Sequence, residues 1–135
     1  MARRDLTGAV DFGHLESYAA GDAALIDEVL GMFREQAALW VRLFDPSWPP
    51  DGWRDAAHSL KGSALGVGAF QLAEACAAAE TAFGAGPGEK SAMLERVRDA
   101  LDAALADIAA YAHEQALQSL KTAGGVSAKP AKRWD

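Results

Sequence analysis

Cysteine is almost absent from this chain: a single residue, Cys76, in 135. One thiol rules out an internal disulfide and a multi-cysteine metal cluster, and it suits a reducing compartment. Long apolar runs are missing as well. No segment approaches the length of a membrane-spanning helix. Met1-Ala2-Arg3-Arg4 carries positive charge, but the apolar stretch of a secretory signal does not follow it, so a cytoplasmic location is expected. Positive charge is in deficit, with 13 Lys and Arg against 19 Asp and Glu and a formal net charge of −6. Such a chain has no general basic field with which to hold nucleic acid. β-Branched residues are sparse while alanine is abundant, a mixture that favours helix over strand. No segment alternates with the period of a strand, and no internal repeat stands out.

What remains is a composition half hydrophobic and about a quarter charged, ordinary for a soluble globular protein. The length allows one domain with a real core. Five helical segments can be read. The first spans Asp11 to Ala20, with Phe12, Leu15 and either Tyr18 or Ala19 on one side, and Gly21 ends it. Asp22 is a suitable N-cap for the second. There Leu25, Ile26, Val29, Leu30, Phe33, Ala37, Trp40 and Phe44 form one apolar stripe. Pro46, Pro49 and Pro50 close that helix and make a stiff loop with Trp48. The third helix starts at Asp51 and runs to Val67, with Gly66 and Gly68 marking its end. The fourth runs from Ala69 to Phe83, its inner face formed by Leu72, Ala73, Cys76, Ala79 and Phe83. The fifth begins near Glu89 and carries a seam of Leu94, Val97, Leu101, Ala104, Ile108 and Tyr111, broadened by Leu105 and Ala112. From Thr122 the composition turns to Gly, Ser, Lys and Pro, as in a flexible tail. The expected fold is all-α: an antiparallel up-down four-helix bundle over residues 5–121 with a short additional N-terminal helix, and a tail over residues 122–135. The initial Met and the small excess over bundle length lead to the expectation of a free-standing protein.

The third helix carries the chemistry. At about 100° per residue, Trp53, Ala56, Ala57, Leu60, Ala64 and Val67 share its core face, and His58 points about 140° away from Trp53, toward solvent. Lys61 lies one turn later on the same side and Arg54 one turn earlier. Leu65 is apolar yet falls on the His58 side. Gly62, at i+4 from the histidine, breaks a local rule. A glycine inside a helix costs about 1 kcal/mol relative to alanine, and this chain uses alanine nearly everywhere else that a small side chain is needed. Removing the side chain there clears space beside the imidazole. A neutral imidazole has a nucleophilic ring nitrogen, and its phosphorylation is covalent nucleophilic catalysis. A phosphoryl group in transfer spreads negative charge over its equatorial oxygens, which gives Lys61, and secondarily Arg54, something to stabilise. Leu65 would offer an apolar contact to a docking partner.

Residues 53–80, WRDAAHSLKGSALGVGAFQLAEACAAAE, resemble the signature of the histidine phosphotransfer (HPt) family of two-component phosphorelays. That pattern is His-x-x-Lys-Gly, a second glycine about six residues later, then Leu, a small residue or Cys, and Glu at helical spacings. His58, Lys61, Gly62, Gly68, Leu72, Cys76 and Glu80 match it in order. The family's short first helix and four-helix bundle extend the likeness to residues 11–120. The resemblance implies that His58 is the phosphoacceptor, Lys61 the charge-stabilising lysine and Gly62 the clearance residue. It further implies a phosphocarrier without autokinase activity. The implied partners are receiver domains of response regulators or hybrid kinases, which supply both the phosphoaspartate and the Mg2+ ion, so no cofactor is expected in this chain. The usual docking face is the surface of the second and third helices around the histidine, with Arg54 and Leu65 as contacts. A monomer is expected. The Pro-rich loop and the basic tail lie outside the family pattern.

The plainer readings stand beside these. His14 and His113 are solvated surface residues, Cys76 is a small buried hydrophobe, and for Arg54 the favoured reading is solvation or pairing with Asp55 or Asp51 rather than a functional role. Glu80 is expected to hold a local hydrogen bond or salt bridge and is given no catalytic role. Gly66-x-Gly68 has no preceding strand and is not a nucleotide loop. The separated histidines argue against a metal site. The competing functions are a non-phosphorylated helical adaptor that binds a receiver or kinase, against which the intact His-x-x-Lys-Gly speaks, and a hydrolase with His58 as general base, which lacks an adjacent nucleophile and a pocket.

Overall fold

The computed structural model describes residues 8–127, with side chains described from Gly8 to Lys121 apart from Leu43. Among the described residues five α-helices follow one another: α1 (Phe12–Tyr18), α2 (Ala23–Leu43), α3 (Pro50–Val67), α4 (Phe70–Thr81) and α5 (Pro87–Ser127), with a 3₁₀ turn at Ala82–Gly84 after α4. No strand occurs among the described residues. The helices α2 to α5 make the bundle. The most extensive contact is that of α3 with α4, followed by α4 with α5, while α2 leans on α3 and more lightly on α5.

Local chemistry explains most of the boundaries. The Asp11 carboxylate accepts from the backbone N–H of His14 at 3.1 Å, and that of Asp22 from Leu25 at 3.1 Å, each filling one of the unpaired donors at a helix start. The third helix begins at Pro50 rather than Asp51, because proline at the first helical position has no N–H to satisfy and a φ already suited to the helix. Gly66 lies inside α3, and Gly68, in the left-handed region at φ 84°, is its cap.

Packing obeys the helical periodicity. Trp53, Ala56, Ala57, Leu60, Ala64 and Val67 on α3 are all buried, as is the α5 seam from Leu94 to Tyr111. On α1, Phe12 and Leu15 face inward, as does Ala19 at its C-terminal cap, and Tyr18 is exposed. On α2, Leu25 turns outward. The apolar stripe there is wider than the surface available to cover it, since α2 has the lighter contacts in the bundle. Trp53 is fully buried at the end of the bundle where α2 and α4 finish and α3 and α5 begin. Phe44 meets it edge-on at 4.4 Å, the Lys90 ammonium lies 5.4 Å from its ring centre, and its indole N–H donates to the carbonyl of Ala79 at 2.6 Å. Ala56, Ala57 and Ala64 on α3, with Ala73, Ala75, Cys76 and Ala79 on α4, let the two backbones approach closely enough for that bond.

The N-terminal segment seals one end of the bundle. Asp11 N–H donates to the Gly68 carbonyl at 2.8 Å, and the buried Asp107 carboxylate accepts from Ala9 N–H at 2.9 Å and from Val10 N–H at 3.4 Å. Phe12 stacks on Tyr111 with ring centres 4.2 Å apart, and the Tyr111 hydroxyl donates to Glu16 at 2.8 Å. A Cβ on Gly68 would lie 2.8 Å from the Asp11 carbonyl oxygen. That position therefore requires glycine for its backbone angle and for its contact alike.

Two expectations need correction. Phe83 is not on the inner face: α4 stops at Thr81, and the 3₁₀ turn that follows rotates the ring outward, leaving it 38% exposed. The break expected at Thr122 is instead helical backbone, with α5 continuing to Ser127. Residues 5–7 of the expected bundle and residues 128–135 of the expected tail lie outside the described residues.

Candidate functional site: a histidine, lysine and glutamate group across α3 and α4

The site begins with α3, whose inner face is committed to the core and whose outer face is not. His58 stands on that outer face with its side chain 68% exposed. Its Nδ1 lies 3.0 Å from Oε2 of Glu80 on α4. The other oxygen of the same carboxylate, Oε1, is 2.9 Å from Nζ of Lys61. One carboxylate thus holds both cationic or proton-bearing groups of the site, one on each oxygen. The hydrogen bond from Trp53 to the carbonyl of Ala79, the residue before Glu80, pins α4 at the height on α3 where this is possible.

The electrostatics select a tautomer. The hydrogen bond from Lys61 is the largest influence on Glu80; burial opposes it, and with the smaller contribution of the His58 hydrogen bond the carboxyl is held below the usual carboxylate range. An ionised carboxylate only accepts hydrogen bonds, so a neutral His58 bonded to it carries its proton on Nδ1. The lone pair of the ring is then on Nε2, the nitrogen farther from Glu80. Lys61 has three N–H donors, of which the ion pair to Glu80 uses one, and its side chain is 28% exposed. The arrangement offers a nucleophilic nitrogen facing water, an ammonium beside it and a carboxylate that fixes both.

Gly62 has neither of the reasons that Gly68 has. Its φ is ordinary, and a Cβ built there would meet nothing within 4 Å. The same is true of Gly66 one turn later, so this flank of α3 is bare backbone open to the outside. Leu65 is 46% exposed at the C-terminal end of the same surface. Arg54 is on the same surface toward the N-terminal end, but the structure does not bring it to the imidazole: its Nη2 is 3.2 Å from Asp51 Oδ1, and its guanidinium lies over Phe83, 5.1 Å from the ring centre.

Of the residues read from the sequence, the structure therefore brings His58, Lys61 and Gly62 together and leaves Arg54 and Leu65 at the two ends. Glu80 had been expected to hold a local contact without a role in the chemistry, and it is the residue that joins the group. Its place in the motif was the only signal, because it lies 22 residues from His58 and no local periodicity connects them. Cys76 is fully buried nearby, and burial pushes its thiol up to about 12, so it stays protonated and takes no part as a nucleophile. Among the described residues no three His, Cys, Asp or Glu side chains come together as a metal ion would need, and no helix is long and apolar enough to cross a membrane.

Comparison with known proteins agrees with this geometry. The Hpt domain family model matches residues 24–111, which includes α2, α3, α4 and the seam of α5. Among solved structures, the chain is similar to the crystal structure of the histidine phosphotransferase ShpA from Caulobacter crescentus, at 60% sequence identity and a TM-score of 0.70, over 84% of this chain and 99% of that one. No curated protein matches the chain. The family match spans most of the bundle and contains the whole group of His58, Lys61, Gly62 and Glu80, and the chain belongs to the Hpt domain family of histidine phosphotransfer proteins.

Proposed function

We propose that the chain is a phosphorelay intermediate that accepts a phosphoryl group on Nε2 of His58 from the phosphoaspartate of a receiver domain and donates it to the aspartate of another. Membership of the Hpt family makes it a phosphorelay carrier in general terms. The observation that supports the finer reading is the Glu80 carboxylate shared between His58 Nδ1 and Lys61 Nζ.

The transfer balances without a separate base. In the forward step the Nε2 lone pair attacks phosphorus, the P–O bond of the acyl phosphate breaks, and the aspartate leaves as a carboxylate. No proton has to be removed from Nε2, because the Nδ1 hydrogen bond to Glu80 keeps that nitrogen bare. The positive charge that the ring acquires is met by the same carboxylate. As the phosphoryl oxygens arrive, Lys61 offers them its remaining N–H donors. The reverse step restores the acyl phosphate on the acceptor, so the net direction follows from the partners and not from this site. The open flank at Gly62 leaves room for the partner's backbone and side chains next to the ring.

The test is to incubate the protein with a phosphorylated receiver domain and follow label on the chain. The expected label is acid-labile and base-stable, and His58→Gln is expected to lose it by at least about a thousandfold with the fold unchanged by circular dichroism. Label that persists in that variant rejects the assignment. Full signalling by His58→Gln in cells would favour the adaptor reading instead.

A further inference from the structure

Arg54 and Phe83 form a unit that the transfer chemistry leaves unused. The Arg54 guanidinium is held in two ways. It lies 5.1 Å from the centre of the Phe83 ring, and its Nη2 is 3.2 Å from Asp51 Oδ1. The two contacts differ in strength of hold. Phe83 sits on the short turn that ends α4, so its position follows from the fold. The Asp51 side chain is 82% exposed, and an ion pair so open to water contributes little and opens readily. Side chains on a helix tilt toward its N-terminus, and both partners of Arg54 lie in that direction. The guanidinium is therefore at the rim of the His58 surface rather than beside the imidazole. Lys61 is meanwhile engaged by Glu80, so Arg54 is the more easily released cation on this surface.

Resting on the carrier reading above, we propose that Arg54, held over the ring of Phe83, is the docking contact for a carboxylate that flanks the phosphorylated aspartate on the receiver, and that Asp51 occupies the place of that carboxylate until the partner arrives. The exchange conserves charge on both sides: Asp51 returns to water as the partner's acid takes over the guanidinium. A planar fork already bonded to one carboxylate and drawn toward the N-terminal end of α3 suits a second carboxylate better than it suits a phosphoryl group on His58, one turn further along the helix. Phe83 is a positioning residue, acting through Arg54.

The measurement is the rate of transfer between the protein and a receiver domain as receiver concentration is varied, with labelling by phosphoramidate run alongside. In the small-molecule reaction the P–N bond breaks, ammonia leaves, and the Nε2–P bond forms with no docking step. Arg54→Gln is expected to raise the receiver concentration for half-maximal rate about tenfold, leaving the plateau rate within about twofold, with the difference from wild type shrinking as ionic strength rises. Arg54→Lys should recover only part of the loss, since an ammonium keeps the charge but lacks the planar fork of donors that suits a carboxylate. Phe83→Leu should raise the half-maximal concentration about threefold, and should add nothing in the Arg54→Gln background. A fall in plateau rate or in phosphoramidate labelling with half-saturation unchanged would put Arg54 on the phosphoryl group and overturn the docking role, as would no change in either. Additive effects of the two substitutions would overturn the role given to Phe83. Failure of wild-type His58 to take label from either donor would instead overturn the carrier reading itself.

Discussion

The two glycines near the C-terminal half of α3 belong to opposite regimes. Gly68 lies under the N-terminal segment, where a left-handed backbone and the Asp11 carbonyl at 2.8 Å from any added Cβ leave no alternative. Gly62 lies on the outer surface, where the backbone is ordinary and the space is empty. Inside the bundle, the buried alanines of α3 and α4 are explained by the helix each one faces, and at the sealed end Gly68 is explained by Asp11. On the outer surface around His58 the explanation has to come from outside the chain. A residue that costs the fold something and gains it no contact is a sign of a surface shaped for approach rather than for packing.

Four substitutions press on that contrast, in decreasing order of effect. Trp53→Ala removes the largest fully buried side chain of the inner face and abandons the bond to Ala79, and is expected to cost about 3–5 kcal/mol in urea denaturation. Since that bond sets the height of Glu80, the variant should also slow labelling of whatever protein remains folded. Gly68→Ala meets both the backbone penalty and the Asp11 carbonyl, and is expected to cost about 2 kcal/mol or more by the same measurement. A neutral outcome there would erase the distinction between the two glycines.

Glu80→Ala acts on the outer surface through charge. It releases Lys61 and leaves the proton of His58 free to choose either ring nitrogen, so labelling by phosphoramidate should slow by about tenfold, read from the initial rate. The same substitution has a pH signature. Because the carboxyl is held below its ordinary value in the folded protein, its contribution to stability is fully present above the unfolded carboxylate range near pH 4.3 and is lost as pH falls through the folded value. The stability difference between wild type and Glu80→Ala should therefore be constant near neutrality and close on the acid side. A gap that instead narrows on the alkaline side of neutrality would mean that the carboxylate is not the titrating group.

Gly62→Ala gives the smallest change and the sharpest contrast. Stability should rise by roughly 0.5–1 kcal/mol, as expected for replacing glycine inside a helix. Transfer from a receiver should slow, while the circular dichroism spectrum stays the same. If transfer is unaffected, the space at Gly62 is not used by the partner.

The inner and outer faces of α3 were also unequally legible. The burial of Trp53, Ala56, Ala57, Leu60, Ala64 and Val67, and the outward turn of His58, follow from a helical period that operates over a few residues. The end of α4 was not legible in the same way. Nothing in the apolar spacing of Leu72, Cys76, Ala79 and Phe83 distinguishes an α-helix that continues from one that tightens into a 3₁₀ turn, and that turn is what carries Phe83 out to Arg54. Likewise the composition after Thr122 reads as a tail, because glycine lowers helix propensity there without forbidding the backbone from continuing to Ser127.

By itself the sequence determined where the helices lie, short of the ends of α4 and α5, and the core faces of α3 and α5, and it set His58, Lys61 and Gly62 on one outer surface, because these depend on spacing within a single helix. Only the tertiary structure decided that one carboxylate would join the imidazole to the ammonium. Glu80 reaches them across the gap between α3 and α4, and the height at which two helices meet is set by side chains packed between them, here the alanines and the bond from Trp53 to Ala79.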